Sequence, residues 1–115
     1  MITFPVCFTI YGVPRTKKNS MRSGFRQSKA WEIYERTAKF SAMPQLPAGR
    51  RYNVKAIVYR NALRGDLLNY LAGTSDIMEM RGVVHNDVEF VGWDGSRMYL
   101  DRNNPRVEIT ITEAA

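Results

Sequence analysis

Residues 64–87 read Arg-Gly-Asp-Leu-Leu-Asn-Tyr-Leu-Ala-Gly-Thr-Ser-Asp-Ile-Met-Glu-Met-Arg-Gly-Val-Val-His-Asn-Asp, and they hold most of the acidic chemistry that could bind a metal. At about 100° per residue, Leu67, Tyr70, Leu71, Thr74, Ile77 and Met78 share one arc, and Asp66, Asn69, Gly73 and Asp76 share a neighbouring polar arc. That spacing predicts a helix with one face to pack and another to carry chemistry. Gly82 is a natural terminator, and Val83-Val84-His85-Asn86-Asp87 then brings in another carboxylate. Asp66 suits a helix N-cap, where a carboxylate accepts from free backbone N–H groups and meets the positive end of the helix dipole. Asn69, Asp76, Asn86 and Asp87 are also oxygen ligands of the kind Mg2+ takes. Cap and metal ligand therefore both remain open for Asp66.

Outward from this stretch, the chain has the size of one domain with a single core, residues 1–115. Thr3 to Tyr11 alternates Phe4, Val6, Phe8 and Ile10 against Thr3, Pro5, Cys7 and Thr9, the period of a half-buried strand. Cys7 is the single cysteine, which excludes an internal disulfide, and is expected to be a buried free thiol. A helix is predicted from an N-cap at Ser28 to about Ala42, with Trp31 and Tyr34 in the core. Tyr52 to Tyr59 reads as a second strand that delivers Asp66 to the rim of a sheet, flanked by Arg60 and Arg64. Val88–Trp93 and Arg97–Leu100 flank Asp94-Gly95-Ser96, a hairpin signal, and Val107, Ile109 and Ile111 alternate in a last strand. Together these elements predict an α+β fold, a mixed sheet of about four or five strands with two main helices.

Lys and Arg number 17 against 11 Asp and Glu, so the formal charge is +6, which favours an anionic partner and nucleic acid before membrane. No apolar run is long enough to cross a bilayer and Met1-Ile2-Thr3 opens no signal peptide, so a cytoplasmic location is expected. Much of the positive charge lies in a Gly- and Pro-bearing loop, Arg15, Lys17 and Lys18 beside Asn19 and Ser20, extended by Arg22 and Arg26. Cations next to neutral donors suit phosphate oxygens. Phe25 could add stacking. His85, the one histidine, is expected to be structural or partly buried, and one histidine with one cysteine cannot build a zinc site. No Gly-x-Ser-x-Gly nucleophile motif is present.

The 64–87 stretch resembles the signature of RusA-type Holliday junction resolvases. In that signature Asp-x-Asp-Asn opens a helix, a lysine follows, an Asp lies one helical stretch on, and a Gly-hydrophobic run ends in Asp-Asp. Asp66, Asn69, Asp76 and Asn86-Asp87 fall on the pattern without a gap; Leu68 stands at the second aspartate and Ala72 at the lysine. The resemblance extends to Pro14, Lys17, Lys18, Asn19 and Ser20 after the first strand, and to Arg97, Pro105 and Arg106 near the end. It implies a homodimeric, Mg2+-dependent endodeoxyribonuclease resolving four-way junctions and other branched DNA in recombination and repair. Asp66 and Asp87 would be metal ligands assisted by Asn69 and Asp76, with Arg15, Lys17, Lys18, Asn19, Ser20, Arg22, Arg26 and Arg97 on DNA. A C2 dimer would set one site near each of two symmetry-related strands. The losses at Leu68 and Ala72 leave a second expectation, a junction- or nucleic-acid-binding protein of the same fold with impaired cleavage. A small RNA-binding domain is a third.

Overall fold

A computed structural model describes residues 2–15, 21–22, 26–27 and 29–115, with the backbone alone at 21–22 and 26–27. The elements are β1 (Val6–Tyr11), β2 (Met21–Arg22), β3 (Arg26–Gln27), α1 (Lys29–Thr37), β4 (Lys39–Phe40), β5 (Tyr52–Arg60), α2 (Leu67–Met80), β6 (Phe90–Gly92), β7 (Arg97–Leu100) and β8 (Arg106–Glu113). A 3₁₀ turn, Asp87–Glu89, precedes β6. Among the described residues, six strands form one mixed sheet in the order β4-β1-β8-β5-β6, with β7 also on β5, and β2 pairs with β3 apart from it. The fold is α+β, as the sequence predicts.

Alternation explains why the sheet is one-sided. Val6, Phe8 and Ile10 of β1, Val54, Ala56 and Val58 of β5, and Val107, Ile109 and Ile111 of β8 are all buried. The antiparallel register sets Ala56 opposite Ile109 and Ile10 opposite Val107, so these side chains share one face. Trp31 and Tyr34 of α1 and Tyr70, Leu71, Ile77 and Met78 of α2 complete the same core. Each fully buried side chain of this kind contributes about 1.5–3 kcal/mol. Cys7 is on the other face and exposed, contrary to the expected burial, because β1 turns only its even-numbered residues to the helices.

The parallel pairing of β5 with β6 requires a crossover, and α2 supplies it. Gly65, at φ 82°, admits the chain to the helix; a Cβ there would stand 2.8 Å from the Tyr70 ring, whose hydroxyl donates to the Arg64 carbonyl at 2.9 Å. At the other end Gly82 has φ 82°, and its N–H and that of Val83 return to the carbonyls of Glu79 and Met78, which closes the helix. Arg81 then donates to the carbonyls of Glu35 and Ala38 at 2.8 and 3.0 Å, and its guanidinium lies 5.2 Å from the Phe40 ring centre. One arginine thereby ties the end of α2 to the end of α1.

Two expectations are corrected. The first helix ends at Thr37 rather than near Ala42, because Lys39 and Phe40 pair with Tyr11 and Ile10 at the sheet edge. Its expected cap, Ser28, lies outside the described residues. Asp94-Gly95-Ser96 makes no hairpin: β6 and β7 both run parallel to β5 and form one interrupted edge strand. Ser96 Oγ accepts from Ala56 N at 3.0 Å, and Asn53 Oδ1 accepts from Asp94 N at 3.0 Å, so side chains take over where the ladder breaks.

Two outcomes follow for stability. Ile77 is fully buried and Leu68, on the same helix, is 77% exposed. Ile77→Ala should lower the unfolding free energy by about 2–5 kcal/mol in urea titration, and Leu68→Ala by less than about 0.5 kcal/mol. Asp101 Oδ1 accepts from Asn103 N and Asn104 N, its other oxygen pairs with Arg106 at 3.0 Å, and these contacts, the arginine first, hold its carboxyl below the usual range. A lowered folded pKa gives stability that is present above the unfolded value of about 4 and lost as pH falls through the folded one. The melting temperature should therefore drop on acidification below about pH 4, and drop less in Asp101→Asn, measured by circular dichroism.

Candidate functional site

Asp66 is the N-cap of α2. Its Oδ1 accepts from Asn69 N at 2.9 Å and its Oδ2 from the Asn69 side-chain amide at 3.1 Å, so both carboxylate oxygens are engaged by the third residue of the helix. This arrangement satisfies a free N–H of the first turn and sets negative charge at the positive end of the dipole.

Asp87 meets the same helix further along. Ser75 Oγ donates to its Oδ2 at 3.4 Å, and its backbone N–H donates to Glu79 Oε2 at 2.9 Å. Ser75 and Glu79 lie nine and thirteen residues after Asp66 in the chain, roughly 14 and 20 Å along a helix rising 1.5 Å per residue. Asn86 caps the 3₁₀ turn, its side-chain oxygen accepting from Val88 N at 3.1 Å. The turn is thus fixed from both sides, and the Asp87 carboxylate stands against the third turn of α2.

Beside it opens a cavity of about 330 Å³ lined by Leu68, Leu71, Ala72, Ser75, Asp76, Asp87 and Trp93. Two carboxylates from different segments, Asp76 of α2 and Asp87 of the turn, therefore meet one concave surface. Leu68 and Ala72, one helical turn apart, share that wall with them. Asp66 and Asn69 do not line it. Of the four expected catalytic residues the structure brings Asp76 and Asp87 to one cavity and leaves Asp66 and Asn69 at the helix start. Asp66 and Asp87, expected as the metal pair, accordingly meet α2 at its first and third turns.

Ser75, Glu79 and Trp93 escaped the sequence reading. Ser75 and Glu79 stand four apart, one above the other on the helix, next to Asp76 and three residues after it, which is the signal that could have marked them. Gly73, expected on the polar arc, is buried instead. Among the described residues no three carboxylate, histidine or cysteine side chains are gathered as a metal cluster. Mg2+ keeps several waters and is commonly held by one or two carboxylates plus phosphate oxygens, so the donor set of Asp76 and Asp87 is of a type that ion accepts.

The basic residues divide by location. Lys17, Lys18, Asn19, Ser20 and Phe25 lie outside the described residues, and of Arg22 and Arg26 only the backbone is described, paired across β2 and β3. Arg15 lines a second cavity, about 350 Å³, with Val13, Lys29, Ala30, Ile33, Tyr34 and Thr37. Burial pushes the Tyr34 phenol well up, and among the described residues its hydroxyl has no hydrogen-bond partner. Arg60 holds the loop before α2, donating to the carbonyls of Arg64 and Gly65 at 3.0 and 3.2 Å. Arg97 is exposed and pairs with Ile57, so it projects from the sheet face opposite the helices. Arg106 is pinned between Asp101 and Glu108. His85 is exposed rather than partly buried, since the two valines before it take the core.

No protein-family model matches the chain, and no curated protein matches it.

Because Asp66 acts as a cap, Asp66→Ala should cost about 1 kcal/mol of stability in urea unfolding, and Asp66→Asn, which keeps a cap acceptor, much less. A loss as large in Asn as in Ala would show that the charge, not the cap, matters there.

Proposed function

We propose that the chain is a Mg2+-dependent endonuclease of RusA type that nicks branched DNA, with its site in the cavity of Asp76 and Asp87. The convergence of these two carboxylates on one open cavity carries this reading. The order of motif residues in the sequence and the formal charge of +6 support it. When bound, Mg2+ would activate water and offset the charge that develops on the phosphodiester. Asp76 and Asp87 are the residues that would hold it. Ser75, donating to Asp87, keeps that carboxylate in place, and Glu79 anchors the turn through the Asp87 N–H. Trp93 and Leu71 give the cavity an apolar wall that limits water around the carboxylates. The basic loop of residues 15–26 would grip the DNA backbone, and a homodimer would set two such sites on a four-way junction, in keeping with a cytoplasmic protein of DNA recombination and repair.

One observation favours a second reading, a junction-binding protein with impaired cleavage. The positions where the resemblance implies a carboxylate and a lysine are Leu68 and Ala72, and both line the cavity. The cavity then has less charge with which to hold an ion and a phosphate.

The test is a labelled four-way junction incubated with the purified chain, with and without Mg2+. Symmetric, metal-dependent nicks are expected. Asp76→Asn and Asp87→Asn should each reduce the rate by roughly a hundredfold or more, and Ser75→Ala by about tenfold to a hundredfold. Tight binding without nicks in Mg2+ or Mn2+, together with nicking gained in Leu68→Asp/Ala72→Lys, would replace the first reading by the second.

A further inference from the structure

The sheet face turned away from the helices carries a row of residues that the cavity does not use. Register aligns Lys39 of β4 with Tyr11 of β1, Tyr11 with Arg106 of β8, Arg106 with Tyr59 of β5, and Tyr59 with Tyr99 of β7. Directly paired residues share a face, and their neighbours Ile10, Val107 and Val58 point into the core, so the row lies on the open side. It crosses five adjacent strands, roughly 19 Å at 4.8 Å per strand.

Contacts along the row are specific. The Tyr59 and Tyr99 rings stack with centroids 5.7 Å apart, and the Arg106 guanidinium lies 3.9 Å from the centre of the Tyr59 ring. Arg106 is held flat there by Glu108 at 2.9 Å and Asp101 at 3.0 Å. At the ends of this fixed centre Tyr11 and Tyr99 are 44% and 51% exposed. Large aromatics left in water on an open sheet are unfavourable, and covering them gains free energy.

The charge around the row indicates what covers it. Lys39, Lys55 and Arg97 are exposed on this face, and among the described residues none is paired with a carboxylate. The strand acid on the same face, Glu108, is already taken by Arg106. Flat rings in line, interleaved with and bordered by cations, are complementary to a chain of bases with a phosphate backbone. Such surfaces bind single strands by stacking two or three bases on sheet aromatics.

We infer that this open sheet face is a second nucleic-acid surface, which takes one unpaired strand with its bases on Tyr11 and Tyr99, at either end of the fixed Arg106–Tyr59 centre, and its phosphates on Lys39, Lys55 and Arg97. The inference rests on the reading that the partner is nucleic acid, but not on cleavage. It gives Arg97 a role apart from the cavity, and it provides a place for strands that open at a branch point.

Anisotropy of a fluorescein-labelled oligothymidylate tests it with the full chain. Wild type and Asp87→Asn should bind equally, with affinity falling as salt rises. Tyr11→Ala/Tyr99→Ala should bind roughly tenfold more weakly or worse, while Tyr11→Phe/Tyr99→Phe, which keeps the rings, should bind as wild type. Equal melting curves for the four proteins separate this from misfolding. Absence of binding by wild type overturns the inference, as does undiminished binding by the Ala pair. So does a change from dimer to monomer in light scattering in the Ala pair, which would assign the face to a second copy. A chain that binds the oligonucleotide through Tyr11 and Tyr99 yet never nicks a junction refutes the cleavage reading alone. Nicking by a chain that ignores the oligonucleotide refutes this inference alone.

Discussion

Parallel pairing of β5 with the interrupted edge strand β6 and β7 constrains everything near the acidic cavity. A parallel neighbour cannot be reached by a tight turn, so the chain must travel back along the sheet, and α2 is that return path. The helix therefore begins where β5 ends and finishes beside the start of β6. Its one apolar face covers Val54, Ala56 and Val58, while its flank is left to form a wall with the 3₁₀ turn. The carboxylates at the two ends of the motif, Asp66 and Asp87, meet the helix at its first and third turns. A residue two-thirds along the helix, Asp76, is brought beside Asp87 instead.

Local hydrogen bonding then assigns work to each polar group. Asn69 occupies both oxygens of Asp66, which fixes that carboxylate as the cap of the helix. Ser75 and Glu79 serve the turn rather than the helix, one through the Asp87 side chain and the other through its N–H. These two contacts hold the turn against α2, and the remaining wall of the cavity is Leu68, Leu71, Ala72 and Trp93. Leu68 and Ala72 add no charge to that wall, so the charge of the cavity rests on Asp76 and Asp87.

Much of the fold was legible because it rests on period. Val6, Phe8 and Ile10, then Val54, Ala56 and Val58, then Val107, Ile109 and Ile111 alternate cleanly, and the apolar arc of α2 is visible in Tyr70, Leu71, Ile77 and Met78. Where tertiary pairing overrides local chemistry, the sequence misleads. Asp94-Gly95-Ser96 has turn chemistry, yet β5 offers a longer partner to both flanking strands, and Ser96 and Asn53 patch the gap. Lys39 and Phe40 leave α1 for a bridge to β1 that no local signal announces. Cys7 reads as an interior thiol by residue type, but its odd place in the alternation sends it outward. In the candidate site Asp76 and Asp87 could be picked by type, but the way Asp87 is held against the helix depends on Ser75 and Glu79, whose partner lies past the helix end, where helical spacing no longer applies. The aromatic row of Tyr11, Tyr59 and Tyr99 could not be read at all, because three strands far apart in sequence must first be set in register.

A divalent ion held by Asp76 and Asp87, as proposed above, would leave Asp66 to its role as the helix cap. Titration of Mn2+ into isotope-labelled protein, followed by paramagnetic broadening of backbone amide signals, tests this without reference to activity. Broadening at the lowest Mn2+ should strike Ser75, Asp76, Asp87 and Val88 first and leave Asp66 to Asn69 sharp. Broadening centred on Asp66 and Asn69, with Asp87 unaffected, would contradict the account and return the ion to the start of the helix.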